Sequence, residues 1–219
     1  IVARCAKTGQ FGMAISSSSP AVAARCAHVR AGVGAVASQN ITDPALGPQV
    51  LDMLAKGLGA AEALVSVTAG RDFIDYRQLL VVDATGATAI HSGRQVLGLW
   101  GEARADDCAA GGNLLASELV PMAMVESFAG SKGHLGERLM LALEAGLMAG
   151  GEAGPVHSAG LKVADRLDWP LIDLRIDWAE DPVGMLRQAW EVYAPQMAAY
   201  VQRAEDPTQA PSYGVPGDE

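Results

Sequence analysis

Short apolar segments joined by glycine-bearing turns come in sequential pairs along this chain, and pairs of helical segments stand between them. That order constrains the fold more than any single motif, because sequential strands pair antiparallel through tight turns while parallel strands need a crossover between them. Residues 1–5 and 11–16 flank Lys7-Thr8-Gly9, with glycine where a tight turn needs positive φ, and read as a hairpin. Residues 33–39 are small, apolar and too few for a helix, so they read as a buried strand. Asp43 then supplies an N-cap acceptor and Pro44 the first helical position of a segment in which Leu46, Val50 and Leu54 recur every fourth residue before Gly57. A second helix spans 60–69, with Leu64 and Val67 inward and Gly70 past its end.

Residues 78–83 and 87–92 form a second hairpin around Ala84-Thr85-Gly86. A less regular stretch follows, containing Trp100 and Asp106-Asp107; this acidic pair reads as a solvated loop, since adjacent strand residues face opposite ways and share no proton. Gly111-Gly112-Asn113 leads into a helix carrying Leu115, Leu119, Met122 and Val125, with Pro121 as a bend and an end near Gly130. Leu135, Leu139, Leu143 and Leu147 mark the next helix, stopped by Gly150-Gly151. Strands at 158–164 and 171–178 precede a last helix opened by Asp181-Pro182, carrying Val183, Leu186, Trp190 and Tyr193 and kinked or ended by Pro195. The expected fold is therefore α+β: a four-layer α-β-β-α sandwich of two mainly antiparallel sheets, each with helices on one face and its partner sheet on the other. One domain over residues 1–204 is expected, with 205–219 a loosely held tail of prolines, glycines and acids.

Half of the 219 residues are hydrophobic and 19% are charged, which excludes intrinsic disorder. Lys+Arg 16 against Asp+Glu 25 gives a formal charge of −9 without a basic block, so neither nucleic acid nor an anionic membrane surface is an expected partner. No apolar stretch nears the roughly 20 residues a membrane span needs. Cys5, Cys26 and Cys108 are odd in number and lack CxxC spacing, which points to a reducing compartment, the cytoplasm, rather than a disulfide framework. Ile1 already lies within a strand where translation places methionine, so residues upstream of it are expected; the chain carries no signal-peptide pattern.

Several chemistries lack their residues. Gly32-Val33-Gly34 misses the third glycine of a dinucleotide loop and precedes a strand instead of following one. His28, His91, His134 and His157 stand far apart, so no metal is expected, and neither GxxxxGK[ST] nor GxSxG occurs. What remains is a set of polar groups at strand ends. Ser16-Ser17-Ser18-Ser19 either points alternate hydroxyls into a cleft or caps a turn. Ser38-Gln39-Asn40, at a strand-to-helix junction, either orients a carbonyl or carboxylate or makes an ordinary turn. Gly112-Asn113 aims backbone N–H groups at an oxyanion from a helix N-terminus, or is a plain cap. Arg30 and Arg77 bind a substrate carboxylate or pair with a surface acid, and His157-Ser158 opens a strand as a base or as a structural pair.

The stretches IVARCAKTGQFGMAISSSSPAVA, AGVGAVASQNITDPALGPQVLDMLAKG, YRQLLVVDATGATAIHSG, GGNLLAS, LGERLMLALEAGLMAGGEAGPVHSAGLKV and LRIDWAEDPVGMLRQ together resemble the bacterial family called domain of unknown function 1028, from Ile1 to about Tyr193. The resemblance implies the sandwich of the N-terminal-nucleophile hydrolases, and with it a Thr, Ser or Cys at the mature N-terminus whose α-amine, of unperturbed pKa about 8, serves as the base. Family members commonly begin Met-Thr-Phe-Ser ahead of the Ile-Val-Ala-Arg stretch, which puts the nucleophile before Ile1.

By the same resemblance, Ser16 to Ser18 stand where the superfamily holds an acid beside its nucleophile, and Arg30 falls near the place of a proteasome-like lysine. Ser38 and Gln39 lie where oxyanion and substrate-edge groups arise, and Gly112-Asn113 occupies a glycine-rich turn. The implied catalytic set is Ser16, Arg30, Ser38 and Asn113; Ser18, Gln39, Asn40, Gly112 and Ser158 bind the substrate. The implied function is hydrolysis of a small amide or peptide-like molecule by a homo-oligomer, with no cofactor. Serine in place of the acid brings no negative charge to hold an ammonium, which keeps two alternatives open: a non-catalytic binder of a small polar metabolite, and an assembly protein of the same fold.

Overall fold

The computed structural model describes residues 1–217. One sheet has six strands in the order β10-β9-β2-β1-β8-β7: β1 (Val2–Arg4), β2 (Phe11–Ser17), β7 (Gly101–Ala105), β8 (Cys108–Gly112), β9 (Ser158–Ala164) and β10 (Ile172–Ile176). The other has four, β3 (Ala27–Arg30), β4 (Gly34–Asn40), β5 (Arg77–Asp83) and β6 (Thr88–Ser92), in sequence order. Every pairing is antiparallel. The mixed α+β sandwich expected from the hairpin order is the architecture observed.

Side-chain alternation along the strands builds the layers. Val2, Phe11, Met13, Ile15 and Ala109 of the six-stranded sheet face Ala35, Ala37, Leu80 and Val82 of its partner, forming the central core. The opposite parity, with Ala3, Ala14, Cys108, Leu161 and Val163, packs beneath α4 (Val120–Gly130), α5 (Leu135–Met148) and α6 (Pro182–Tyr193). On the far side Val36, Leu79 and Val81 lie against α2 (Leu46–Ala55) and α3 (Ala60–Thr68). Leu135, Leu139 and Leu143 are buried as their spacing requires, whereas Leu147 is half exposed. Asp181 caps α6 by accepting the Gly184 N–H at 3.0 Å, and Arg187 on that helix clamps Glu137 and Glu144 of α5.

Several local expectations change. The irregular stretch around Trp100 contains the β7–β8 hairpin, and Asp107 at its turn is an ion-pair partner of Arg4 at 2.8 Å instead of a solvated loop residue. The mixed segment after Pro20 holds the short α1 (Val22–Cys26) and β3. Gly111 and Gly112 end β8; α4 begins only at Val120, so they are not a helix N-terminus, and Pro121 sits in the first turn of α4 without bending it. Leu119 and Met122 are consequently exposed, and Val120, Met124, Val125 and Phe128 face inward. Pro44 precedes α2 by a turn, with Asp43 Oδ1 accepting the Ala45 N–H. After Pro195 the chain makes a further helix, α7 (Met197–Glu205), tied back by Arg166–Glu205. Of the expected tail, residues 218 and 219 lie outside the described residues; before them Arg203 lies over the Tyr213 ring. Among the described residues no helix is long and apolar enough to cross a membrane.

Candidate functional site

β1 is short, and its neighbours run past it: β2 to Ser17 and β8 to Gly112. Beyond Ile1, between these two strand ends, lies a cavity of about 250 Å³. It is bounded by Ser16 to Ser19 after β2, by Gly111 to Leu114 after β8, by Arg25 and Cys26 of α1, and by Gln39 and Asn40 at the end of β4. Ile1, Leu115, Val120, Met124 and Leu143 give it an apolar wall under α4 and α5.

The serine run is organised by charge on two sides. Glu152, just past α5, accepts the Ser18 N–H at 2.9 Å and the Ser18 hydroxyl at 2.5 Å. The segment that delivers it turns through Gly150 and Gly151, both at positive φ (125° and 60°), and is held by the Leu115–Glu152 bridge. On the other side Arg25 donates from Nη2 to the Ser19 hydroxyl at 2.7 Å, and the Ser17 and Ser19 hydroxyls lie 2.9 Å apart. Neither Glu152 nor Arg25 has an ion-pair partner among the described residues.

Amides line the third side. Gln39 Nε2 donates to Gln78 Oε1 at 2.8 Å and to the Gly111 carbonyl at 3.1 Å; Gln78 Nε2 donates to Ser92 Oγ at 3.0 Å and to the Gly112 carbonyl at 3.4 Å. The two sheets are thus joined at the rim of the cavity. Asn40 takes a left-handed φ of 71°, donates to the Tyr76 carbonyl and accepts the Leu97 N–H, which fastens the loop that closes over the site. The Asn113 side chain makes no hydrogen bond among the described residues. Cys26 also lines the cavity, yet burial pushes its thiol up, against the hydrogen bond to Thr42 and the charge of Arg25. It is therefore a thiol at neutral pH and a poor nucleophile.

Of the residues in the implied catalytic and substrate-binding sets, Ser16, Ser18, Gln39, Asn40, Gly112 and Asn113 border this cavity. Three do not. Arg30 lies on the outer strand β3, where its guanidinium is bound by Asp52 at 2.9 Å. Ser38 is fully buried on β4 and its hydroxyl donates to the Asp43 carbonyl at 3.0 Å, bracing the turn into α2. Ser158 is fully buried as well: it donates to the Ser19 carbonyl at 2.6 Å and accepts the Val22 N–H at 3.1 Å, stapling the serine run and α1 to β9. Glu152, Arg25 and Gln78 were missed from sequence. The only local sign of Glu152 was its place after the glycine pair that stops α5.

Comparison with known proteins bears on the whole chain. No curated protein matches it. A crystal structure of a protein from Silicibacter pomeroyi, itself assigned to DUF1028, superposes with a TM-score of 0.85 at 28% identity, over 92% of this chain and 88% of that one. Anbu (ancestral beta-subunit) from Yersinia bercovieri aligns with a TM-score of 0.40 at 12% identity, over 91% of this chain and 96% of its own, a similarity too slight to support any inference. The profile of the family of unknown function DUF1028 matches residues 1–186, and the chain belongs to that family.

Proposed function

We propose that the chain is an amide-bond hydrolase of the N-terminal-nucleophile kind, its nucleophile carried on residues that precede Ile1. The observation that carries this reading is one cavity at the head of β1 holding a hydroxyl-rich strand end, Ser16 to Ser19, a carboxylate, Glu152, that meets no cation among the described residues, and the side-chain amide of Asn113, which makes no hydrogen bond among them. The strand register supports it. Val2 pairs with Met13 on β2 and Ala109 on β8, so a chain continued three residues back from Ile1 in the same ladders comes level with Ser17 on one side and Asn113 on the other. The resemblance puts the threonine of Met-Thr-Phe-Ser at that level.

A hydroxyl there attacks the amide carbonyl carbon while the neighbouring α-amine takes its proton. The amine returns that proton to the leaving nitrogen as the C–N bond breaks, and water then hydrolyses the acyl ester. The Asn113 side-chain amide is the donor for the oxyanion, the Leu114 and Leu115 N–H groups being taken by the Leu97 and Leu99 carbonyls. Glu152 brings the negative charge that the serine run lacks, and acts as a positioning residue through Ser18.

Intact mass and N-terminal sequencing of the full-length protein, followed by labelling with a β-lactone electrophile, test the reading. A processed N-terminal Thr, Ser or Cys that takes up one equivalent of label, and loses it on substitution by Ala, is the expected result. A retained methionine, a blocked amine or no adduct overturns it.

A further inference from the structure

Arg25 is placed as a ligand-binding arginine is placed. Arginines elsewhere, such as Arg4, Arg30 and Arg187, sit on carboxylates. Arg25 meets none among the described residues, although the chain carries 25 acids and a formal charge of −9. Its hydrogen bonds hold it still instead: Nη1 donates to the Pro20 and Ala21 carbonyls, and Nη2 to the Ser19 hydroxyl. A guanidinium has five N–H donors. Three are used here, which leaves Nε–H and one Nη2–H to meet the oxygens of a carboxylate. Arg25 borders the cavity, and the apolar Ile15, Val22, Leu97 and Leu114 border it too. Glu152 lines the same space without a cation, so an anionic group is steered to the Arg25 side and an N–H-bearing group to the Glu152 side.

We propose that the cavity recognises its ligand by a free carboxylate, bound by Arg25 in the position that Ser19 holds for it. Resting on the hydrolase reading for its chemistry, this names the substrate class: N-acylated amino acids, or short peptides with a free C-terminal carboxylate. A single guanidinium fits a monoanionic carboxylate better than a phosphate, whose second charge meets no further cation among the described residues that line the cavity and shares it with Glu152.

The test uses the full-length protein and four N-benzoyl amino acids (glycine, alanine, leucine and phenylalanine), each as the free acid and as the primary carboxamide, with binding read by isothermal titration. At least one acid is expected to bind tenfold or more tighter than its carboxamide, with 10 mM inorganic phosphate failing to displace it. Arg25→Met is expected to abolish that difference, and Arg25→Lys to keep only part of it. Because Arg25 also braces two carbonyls, Ser19→Ala supplies a milder variant, expected to weaken the acid several-fold more than the carboxamide. Equal binding of acid and carboxamide, no binding of either, displacement by phosphate, or undiminished discrimination in Arg25→Met overturns the proposal. Product analysis on the same compounds separates the two readings. Arg25-dependent binding without cleavage sinks the hydrolase and leaves the carboxylate site standing; cleavage of carboxamides as fast as acids does the reverse.

Discussion

Ser18 and Glu152 stand 134 residues apart in sequence and meet twice, through the Ser18 amide at 2.9 Å and its hydroxyl at 2.5 Å. The strand end that the sequence shows as serine is therefore paired with a carboxylate after all, brought from the turn that follows α5. A carboxylate beside an α-amine favours the ammonium, so removing the charge lowers the amine's pKa and keeps the base neutral to lower pH. Glu152→Gln is expected to shift the acidic limb of the kcat/KM profile downward by about one unit and to lower kcat about tenfold, with Glu152→Asp recovering part of both. A pH profile that stays in place while the melting temperature falls would reduce Glu152 to a staple of its turn.

Asp83 closes β5 with four donors around it: Thr85 N–H at 2.8 Å, Thr85 hydroxyl at 2.7 Å and Ala87 N–H at 3.1 Å on Oδ1, and Ala60 N–H at 2.8 Å on Oδ2. It joins the β5–β6 turn to the start of α3. Burial alone raises this carboxyl's pKa, but the hydrogen bonds from Thr85, Ala60 and Ala87 together outweigh burial and hold it below the ordinary value of 3.8. A depressed folded-state pKa means the stabilisation is complete above the unfolded value and is lost as pH falls through the folded one. Asp83→Asn is expected to cost about 1.5–3 kcal/mol at pH 6, read by urea unfolding, and the gap to wild type to shrink as pH drops below that unfolded value. A gap independent of pH would mean that the charge contributes nothing.

The elements that could be read from sequence were those with strong local signals. Gly9 and Gly86 turn the two hairpins at φ of 77° and 91°, and the leucines from Leu135 to Leu143 trace the buried face of α5. The β7–β8 hairpin gave no such signal, because alanine and glycine dominate it and have little strand preference of their own. They suit the place: a Cβ on Gly112 would come within 2.7 Å of Leu115 Cδ2. Leu115 and Leu119 share a helical spacing without sharing a helix, since the chain first bridges to Glu152 and only then begins α4. The site was half legible for the same reason. Ser16, Ser18 and Gln39 lie at the ends of strands that sequence could locate, whereas Asn113 follows β8, which it did not mark, and the meeting of Ser18 with Glu152 depends on how the turn after α5 lands beside β2, which no local pattern encodes.

Gln78 shows what that long-range closure rests on. It is fully buried, and its amide links Gln39, Ser92 and the Gly112 carbonyl across the gap between the two sheets. Replacing it by leucine keeps the volume but leaves the Gly112 carbonyl and one Gln39 N–H without their partner, a loss of about 1–3 kcal/mol. Gln78→Leu is expected to lower the chemical-denaturation midpoint accordingly and to speed amide hydrogen exchange in residues 111–114 ahead of the rest of β8. Uniform exchange across β8 would show that the amide ladder does not hold the rim.

Gly160 governs the seat of Arg25 from the opposite face of α1. It lies in β9 opposite Ile15 and Arg175, and a methyl group built on it collides with the Cβ of Ala23, on the helix that carries Arg25. α1 has only five residues and is held at its start by the Ser158 hydroxyl on Val22 N–H, so it has little means of yielding without moving as a whole. Gly160→Ala is expected to destabilise the protein by about 1–3 kcal/mol, as overpacking does, and to blunt the preference for a free carboxylate over its carboxamide. Ala23→Gly clears the same contact from the other side at a helix-propensity cost of about 1 kcal/mol. The double variant should therefore recover the carboxylate preference more fully than it recovers the melting temperature. If Gly160→Ala lowers stability with ligand discrimination intact, the position of α1 does not set the Arg25 guanidinium.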